Sequence, residues 1–308
     1  MNNLETNLSN ALNICSGKIG YYSEFSKIYT FTTENISGYI NYFDLQNKSL
    51  LTVGSSFDQV LNAYMCGARD ITLYDINPYA KYYAYLKIAS IISLDYQGFE
   101  NFFFIHANKS FYNTKMFNSE LFNKIKPILK CLDYESFYFF DKLFSSYKPG
   151  RIRDYLFDDD ESREKVIKGF NLYLRNEYSY NKLKNTIREL CFKYINGDIF
   201  KDDIDGKYDN IFLSNLCTTT SVEKLKELVK KLDENNLNIN GSILLGYLWD
   251  INFNDKEYRE EWLPIYKLPI TKEKLKKYIT EHHNINGGKD ILWNKDKKND
   301  LVLIYKKR

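Results

Sequence analysis

Several residue types are scarce in this chain, and each scarcity excludes something. Its 308 residues include five cysteines, five prolines and three histidines. The cysteines, at 15, 66, 131, 191 and 217, form no C-x-x-C pair. That argues against a zinc knuckle or a disulfide framework and fits reduced thiols in a cytoplasmic compartment. His282 and His283 are adjacent and cannot share a helical face, and His106 is the third imidazole. No metal site is expected from them. No run of about 18 apolar residues occurs, so no membrane span is expected. Met1–Thr6 lack a basic region followed by an apolar run, so no signal peptide is expected. The net charge is only +3, from 43 basic and 40 acidic side chains. That balance gives no electrostatic footprint for nucleic acid, whose affinity rests on phosphate neutralisation. G-x-G-x-x-G is missing too, which speaks against a nicotinamide-dependent oxidoreductase.

What is present is an ample core, with 44% hydrophobic residues, enough for one large or two modest domains. Tyr (27) and Phe (21) are frequent, and are read as compositional bias before any ligand surface. The most informative stretch is Leu50-Leu51-Thr52-Val53-Gly54-Ser55-Ser56-Phe57-Asp58-Gln59, followed 21 positions after Gly54 by Asp75 in Leu73-Tyr74-Asp75-Ile76-Asn77. It reads as a buried strand, a tight small-residue turn, a helix, and a second strand ending in a carboxylate. A nucleoside-bearing cofactor needs that arrangement. The turn lets backbone N–H groups approach the ligand at a helix N-terminus, and the acid can take both ribose hydroxyls.

Along the chain, residues 1–47 read as a helical or irregular lead-in. Strands are expected at 49–54, 70–75, 192–196, in the apolar run of 208–215 and at 242–248, with helices at 57–67, 78–93 and 221–234. Residues 95–192 carry helical patches and no convincing strand, and read as a helical insertion. A helix over 272–281, capped by Thr271, and a terminal hairpin of 290–293 with 301–305 complete the reading. The expected fold is α/β: a Rossmann-like, doubly wound, mostly parallel sheet with a C-terminal β-hairpin and a helical insertion. The units are 1–47 covering the site, 48–94 with 193–308 as the Rossmann-like domain, and 95–192 as a cap. Ligands in such sheets bind beyond the strands' carboxyl ends at the switch point. Those ends are Gly54–Asp58, Asp75–Asn77, Gly197–Ile199 and Leu213–Leu216.

Those four ends resemble the S-adenosylmethionine site of class I methyltransferase-type proteins. More narrowly, Leu51–Gln59, Asp75-Ile76-Asn77-Pro78, Leu86–Ala89 and Leu94–Phe99 resemble a family of uncharacterised bacterial proteins related to the betaine-lipid 3-amino-3-carboxypropyl transferases. Tyr29–Ile36 and Leu213–Leu216 fit the same picture. The likeness covers residues 29–100 and 194–217. The chain departs from the class at the turn, where Gly54 is the one glycine left and Phe57 stands where the narrower family tends to have glycine. A bulky residue there leaves the backbone accessible only if its φ stays negative.

The resemblance implies S-adenosylmethionine as cofactor and an S-adenosylmethionine-dependent transferase as the function. Gly54, Ser55, Ser56, Asp58 and Gln59 would hold its amino acid part, with helix capping as the alternative for Asp58. Asp75 would take the ribose, with Ile76 and Asn77 along the adenosine edge. Asp198 would accept from the adenine amino group and Ile199 would pack on the ring. Thr33 and Glu34 would close over the cofactor from the lead-in. Ser214 and Asn215 would face the reacting end. Methyl transfer to a small-molecule or lipid-like acceptor is expected first. 3-Amino-3-carboxypropyl transfer and a non-catalytic nucleoside-binding module are the alternatives. No Asn/Asp-Pro-Pro-Tyr/Phe motif follows the fourth strand, which speaks against methylation of nucleic-acid bases. Lys306-Lys307-Arg308 reads as a solvated end, with peripheral contact to an anionic membrane as the minor alternative.

Overall fold

A computed structural model describes residues 2–20, 25, 27–54, 56–104, 116–158, 164–214, 216, 220, 222–250, 278–285 and 299–307. The lead-in contains α1 (Asn2–Ser16), a two-residue strand β1 (Ile28–Tyr29) and α2 (Ile36–Tyr39). The expected strand–helix–strand–helix run follows as β2 (Leu50–Val53), α3 (Asp58–Met65), β3 (Ile71–Asp75) and α4 (Tyr79–Ser93). Gly67, at φ +103°, lets the chain leave α3. The insertion supplies α5 (Tyr96–Phe103), α6 (Ser119–Leu132), α7 (Tyr134–Ser146), α8 (Pro149–Leu156), β4 (Phe157–Asp158), α9 (Glu164–Phe170) and α10 (Glu177–Thr186). It is not strand-free, because β4 pairs in parallel with β1 and so ties insertion to lead-in. Two residues carry no period-2 signal, and the sequence gives no warning of such a bridge.

The sheet resumes with β5 (Phe192–Asn196), β6 (Tyr208–Phe212), α11 (Val222–Asn235), β7 (Leu237–Asp250), β8 (Tyr278–Ile285) and β9 (Asn299–Lys307). Its spatial order is β5-β3-β2-β6-β7-β9-β8. The first five strands are mutually parallel. β9 is inserted antiparallel between β7 and β8. The terminal hairpin is therefore present, but β9 pairs with 278–285. The expected partner strand at 290–293 lies outside the described residues. The helix expected over 272–281 is overturned at 278–281, which are strand. Tyr278-Ile279-Thr280-Glu281 alternates too weakly to announce itself, and the β9 ladder supplies the order that local propensity does not.

Successive strand residues feed opposite cores. Leu50, Leu73, Phe212, Leu244 and Ile304 face a large core shared with α1, α3, α4 and the insertion. Leu51, Tyr74, Ile211, Ile243 and Tyr305 face a second, covered by Leu225, Leu228 and Leu232 of α11. The insertion is thus packed into the first core, with Phe99, Phe103, Phe117 and Tyr173 fully covered.

A buried ion pair crosses the first core. Lys87 of α4 and Asp58 of α3 are both wholly buried, with Nζ 2.5 Å from Oδ1. The ammonium also donates to the carbonyls of Thr30 (3.1 Å) and Ser56 (2.9 Å), and lies 4.3 Å from the Phe31 ring centroid. Asp58 further accepts from Thr32 N–H (2.6 Å), Ser56 Oγ (3.1 Å) and the Tyr173 hydroxyl (2.7 Å). Burial pulls the Lys87 pKa down to about 8, with the Asp58 carboxylate opposing it. Removing one partner of such a pair strands an uncompensated charge. Lys87→Met is expected to lose about 3–5 kcal/mol of unfolding free energy in urea titrations. A loss below about 1 kcal/mol, the range of exposed pairs, would refute a stabilising cross-link here.

Candidate functional site

Chain order reverses between β2 and β6: the chain steps outward from β2 to β3 and β5 on one side, and from β6 to β7 on the other. A crevice opens beyond the carboxyl ends of strands at such a reversal. Gly54 sits at the end of β2, its N–H donating to Tyr74 O (2.8 Å). A Cβ added there would fall 2.7 Å from Oδ2 of Asp75. Glycine is thus what lets the Asp75 carboxylate close on the turn. Asp75 Oδ1 accepts from the Asn77 N–H (2.8 Å), and the group is half-buried. Asn77 Oδ1 caps α4 through Tyr79 N–H (3.0 Å). Asn196 holds the corner from β5, its Nδ2 donating to the carbonyls of Asp75 (2.9 Å) and Ile76 (3.0 Å). Ile76 is one of the few large apolar side chains left exposed among the described residues, at 41%. A half-buried carboxylate, a close glycine turn and an apolar ledge fit a ribose and the edge of a base.

Two non-glycine residues at these strand ends have positive φ: Phe57 at +67° and Ser214 at +52°. Phe57 therefore does not meet the negative-φ condition. Its ring is nonetheless buried, 5.1 Å from that of Phe192, and so points into the core rather than across the rim. Left-handed backbone at a non-glycine residue costs about 1–3 kcal/mol and persists where surrounding contacts hold it.

A second polar cluster sits between β2 and β6. Glu34 of the lead-in is 3% exposed. It accepts from Tyr39 Oη (3.2 Å), Gln59 Nε2 (3.0 Å) and Ser214 Oγ. Thr52 of β2 donates to Gln59 Oε1 (2.8 Å). The Glu34 N–H donates to Thr32 Oγ1 (3.0 Å). Burial pushes the Glu34 carboxyl above its ordinary range, against the three hydrogen bonds. Tyr39 is driven well above its usual range by burial and by Glu34.

The expected residues thus fall into groups. Gly54, Asp75, Ile76 and Asn77 meet at one corner; Glu34, Gln59 and Ser214 meet at the crevice, with Thr33 half-buried beside them. Ser56 and Asp58 belong to the Lys87 cluster, where four donors occupy Asp58. Asp198 lies past β5, accepting from Phe200 N–H (3.0 Å) and pairing with Lys201 (2.8 Å), which holds its carboxyl below the usual range. Ile199 is 6% exposed within the second core. Ser55 and Asn215 lie outside the described residues. Lys87, Tyr39, Thr52 and Tyr173 were not singled out from the sequence. Thr52 and Lys87 do lie in the stretches Leu51–Gln59 and Leu86–Ala89 that carry the resemblance, without an assigned role.

No family model and no curated relative matches the chain. Among solved structures it is similar to the ribosomal protein L11 methylase of Lactobacillus delbrueckii subsp. bulgaricus, at 12% identity, covering 89% of this chain and 76% of that one, with a TM-score of 0.37. It is similar to the N-methyltransferase NodS of Bradyrhizobium japonicum WM9 with bound S-adenosyl-L-homocysteine, at 7% identity, 98% and 86% coverage and a TM-score of 0.38. It is also similar to a putative S-adenosylmethionine-dependent methyltransferase of Listeria monocytogenes, at 9% identity, 86% and 93% coverage and a TM-score of 0.40. At identities and TM-scores this low, the likenesses assign no activity to this chain. Among the described residues no helix is long and apolar enough to cross a membrane.

The raised Glu34 pKa has a consequence for stability. Above the unfolded carboxylate's pKa of about 4.3, the folded state still holds a proton that the unfolded chain has released. Stability from this group is fully present below that value and is lost as pH rises through the folded pKa. Glu34→Gln removes the titration and keeps hydrogen-bonding groups in place. Its urea midpoint at neutral pH is expected to equal or exceed that of the wild type, with the difference closing as pH falls toward about 4.3. A deficit of the same size at every pH would show that the carboxyl's fit, and not its ionisation, sets its contribution.

Proposed function

We propose that the chain is an S-adenosylmethionine-dependent transferase whose cofactor lies along the carboxyl ends of β3, β2 and β6. The observation that carries this reading is the Gly54–Asp75 pair beside the switch point: a glycine turn that a Cβ would close, against a carboxylate on the neighbouring strand. Asp75 is the group for the ribose hydroxyls and Ile76 the ledge for the adenosine edge. Asp198, past β5, is assigned to the adenine amino group. Asp58 is assigned to the scaffold, because four donors already surround it. Ser56 goes with it, while Gln59, through Thr52 and Glu34, joins the β2 turn to the lead-in.

When bound, the cofactor supplies a sulfonium with electrophilic carbon substituents. The chain's part is then orientation and exclusion of water, worth about 7–11 kcal/mol where the geometry is near attack. The lead-in excludes water: Thr30 and Thr32 are fastened to the Lys87–Asp58 pair, so Thr33 and Glu34 are held over the crevice. Ser214, in its left-handed conformation, turns its hydroxyl toward Glu34 at the end of β6. Ser214 and Asn215 are the residues proposed to meet the acceptor. Methyl transfer to a small-molecule or lipid-like acceptor is the preferred reaction. 3-Amino-3-carboxypropyl transfer uses the same cofactor with another carbon presented.

A thermal-shift series tests the reading. S-adenosylmethionine or S-adenosylhomocysteine at about 100 times its dissociation constant is expected to stabilise the protein by about 2.7 kcal/mol, and NAD not at all. Asp75→Ala is expected to abolish that shift while leaving the ligand-free melting temperature within a few degrees. Equal shifts with NAD, or no change on Asp75→Ala, would overturn the assignment. Binding with no product across amine, hydroxyl and lipid acceptors would favour a nucleoside-binding module.

A further inference from the structure

The Lys87–Asp58 pair is internally neutral, but the second buried carboxylate is not so matched. Among the described residues no cation pairs with Glu34. Its three partners are neutral donors. An ionised carboxylate offers about four acceptor sites, so three donors leave one. Burial of an anion without a countercharge is costly, and its usual outcome is a raised pKa, as found here. The position is also specific. Glu34 reaches Gln59 of α3 and Ser214 beyond β6, and therefore sits at the mouth of the β2–β6 crevice. Asp75 ends β3, which pairs with β2 on the side opposite β6, so a ribose at Asp75 would lie one strand over from that mouth.

We propose that Glu34 is the countercharge for a cationic centre on the 5′ side of the bound nucleoside, and that it selects the charged sulfonium over the neutral thioether product. This rests on the cofactor assignment above and deepens it. Glu34 then does more than close the lead-in over the site. Its carboxylate, held by Tyr39, Gln59 and Ser214, gives substrate cofactor an attraction that spent cofactor lacks. Product release follows from the loss of charge at sulfur. A Lys or Arg in Glu34's place would reverse the preference, and Gln would erase it.

The other ionisable groups nearby do not mimic this. Tyr39 stays neutral, its pKa lying well above the usual range. Below about pH 8, Lys87 keeps its proton beside the Asp58 carboxylate and the pair adds no net charge that would favour either ligand. Asp75 faces the ribose that both ligands share. A ratio of affinities therefore isolates Glu34.

The probes are S-adenosylhomocysteine, a neutral thioether, and sinefungin, in which a carbon-borne ammonium replaces the methylsulfonium. Their dissociation constants are measured by calorimetry on the full chain. Wild type is expected to prefer sinefungin, and Glu34→Gln to reduce that preference at least tenfold while S-adenosylhomocysteine affinity changes less than threefold. In wild type, at pH values below about 8 where Lys87 keeps its proton, the preference should grow as pH rises through the Glu34 titration. This arm needs no variant and so stands if Glu34→Gln folds poorly. Equal weakening of both ligands would overturn the proposal by placing the carboxylate against a group they share, such as the amino acid ammonium. So would an unchanged ratio or a flat pH dependence. If neither ligand binds wild type, the cofactor assignment itself fails, a result distinct from these.

Discussion

The buried Lys87–Asp58 pair is the contact on which the rest of the structure depends. It joins three parts of the chain that are far apart in sequence. Asp58 opens α3 at the β2 turn and Lys87 comes from α4. Through their remaining hydrogen bonds they hold Thr30 and Thr32 of the lead-in and Tyr173 of the insertion. Because each of the two charges has the other, and both are further hydrogen-bonded, the desolvation cost is met within one cluster. The geometry of the rim follows from it. The lead-in cannot drift from the crevice without stranding a carbonyl and an N–H, and Glu34 is carried into place two residues beyond Thr32.

The two clusters differ in how their charge is balanced. Asp58 has four donors and is matched in charge, while Glu34 has three donors and is unmatched in charge among the described residues. Lone buried charge is what a folded chain avoids unless a ligand completes it. The positive φ at Phe57 and Ser214 belongs to the same economy, since both residues border the crevice and both are fixed by neighbours.

Much of the fold was legible because it is written locally. The apolar run of β2, the turn at Gly54, the carboxylate ending β3 and Pro78 ahead of α4 each carry their signal within a few residues. The same holds for β6 and α11. What was illegible is non-local. β8 is strand only because β9 lies beside it, and its own residues read as the tail of a helix. The two-residue β1–β4 bridge leaves no pattern. At the site, Asp75 and Gly54 could be paired by spacing, but the bond between Glu34 and Ser214 spans 180 positions. Phe57 illustrates a subtler limit: sequence identified the position as special, but the direction of its side chain depends on Phe192 waiting across the core.

The register of β2 has a consequence for the nascent chain. β2 lies between β3, which follows it at once, and β6, whose bonds to Ser49 reach across 160 positions to Asp209. At synthesis rates of about 5–20 residues per second, one edge of this ribbon waits roughly 8–30 s before its neighbour leaves the ribosome. In that interval the aromatic insertion, which precedes β6 in the chain and shares the core with Leu50, is already synthesised, so that face of β2 can be covered before its second edge finds a partner.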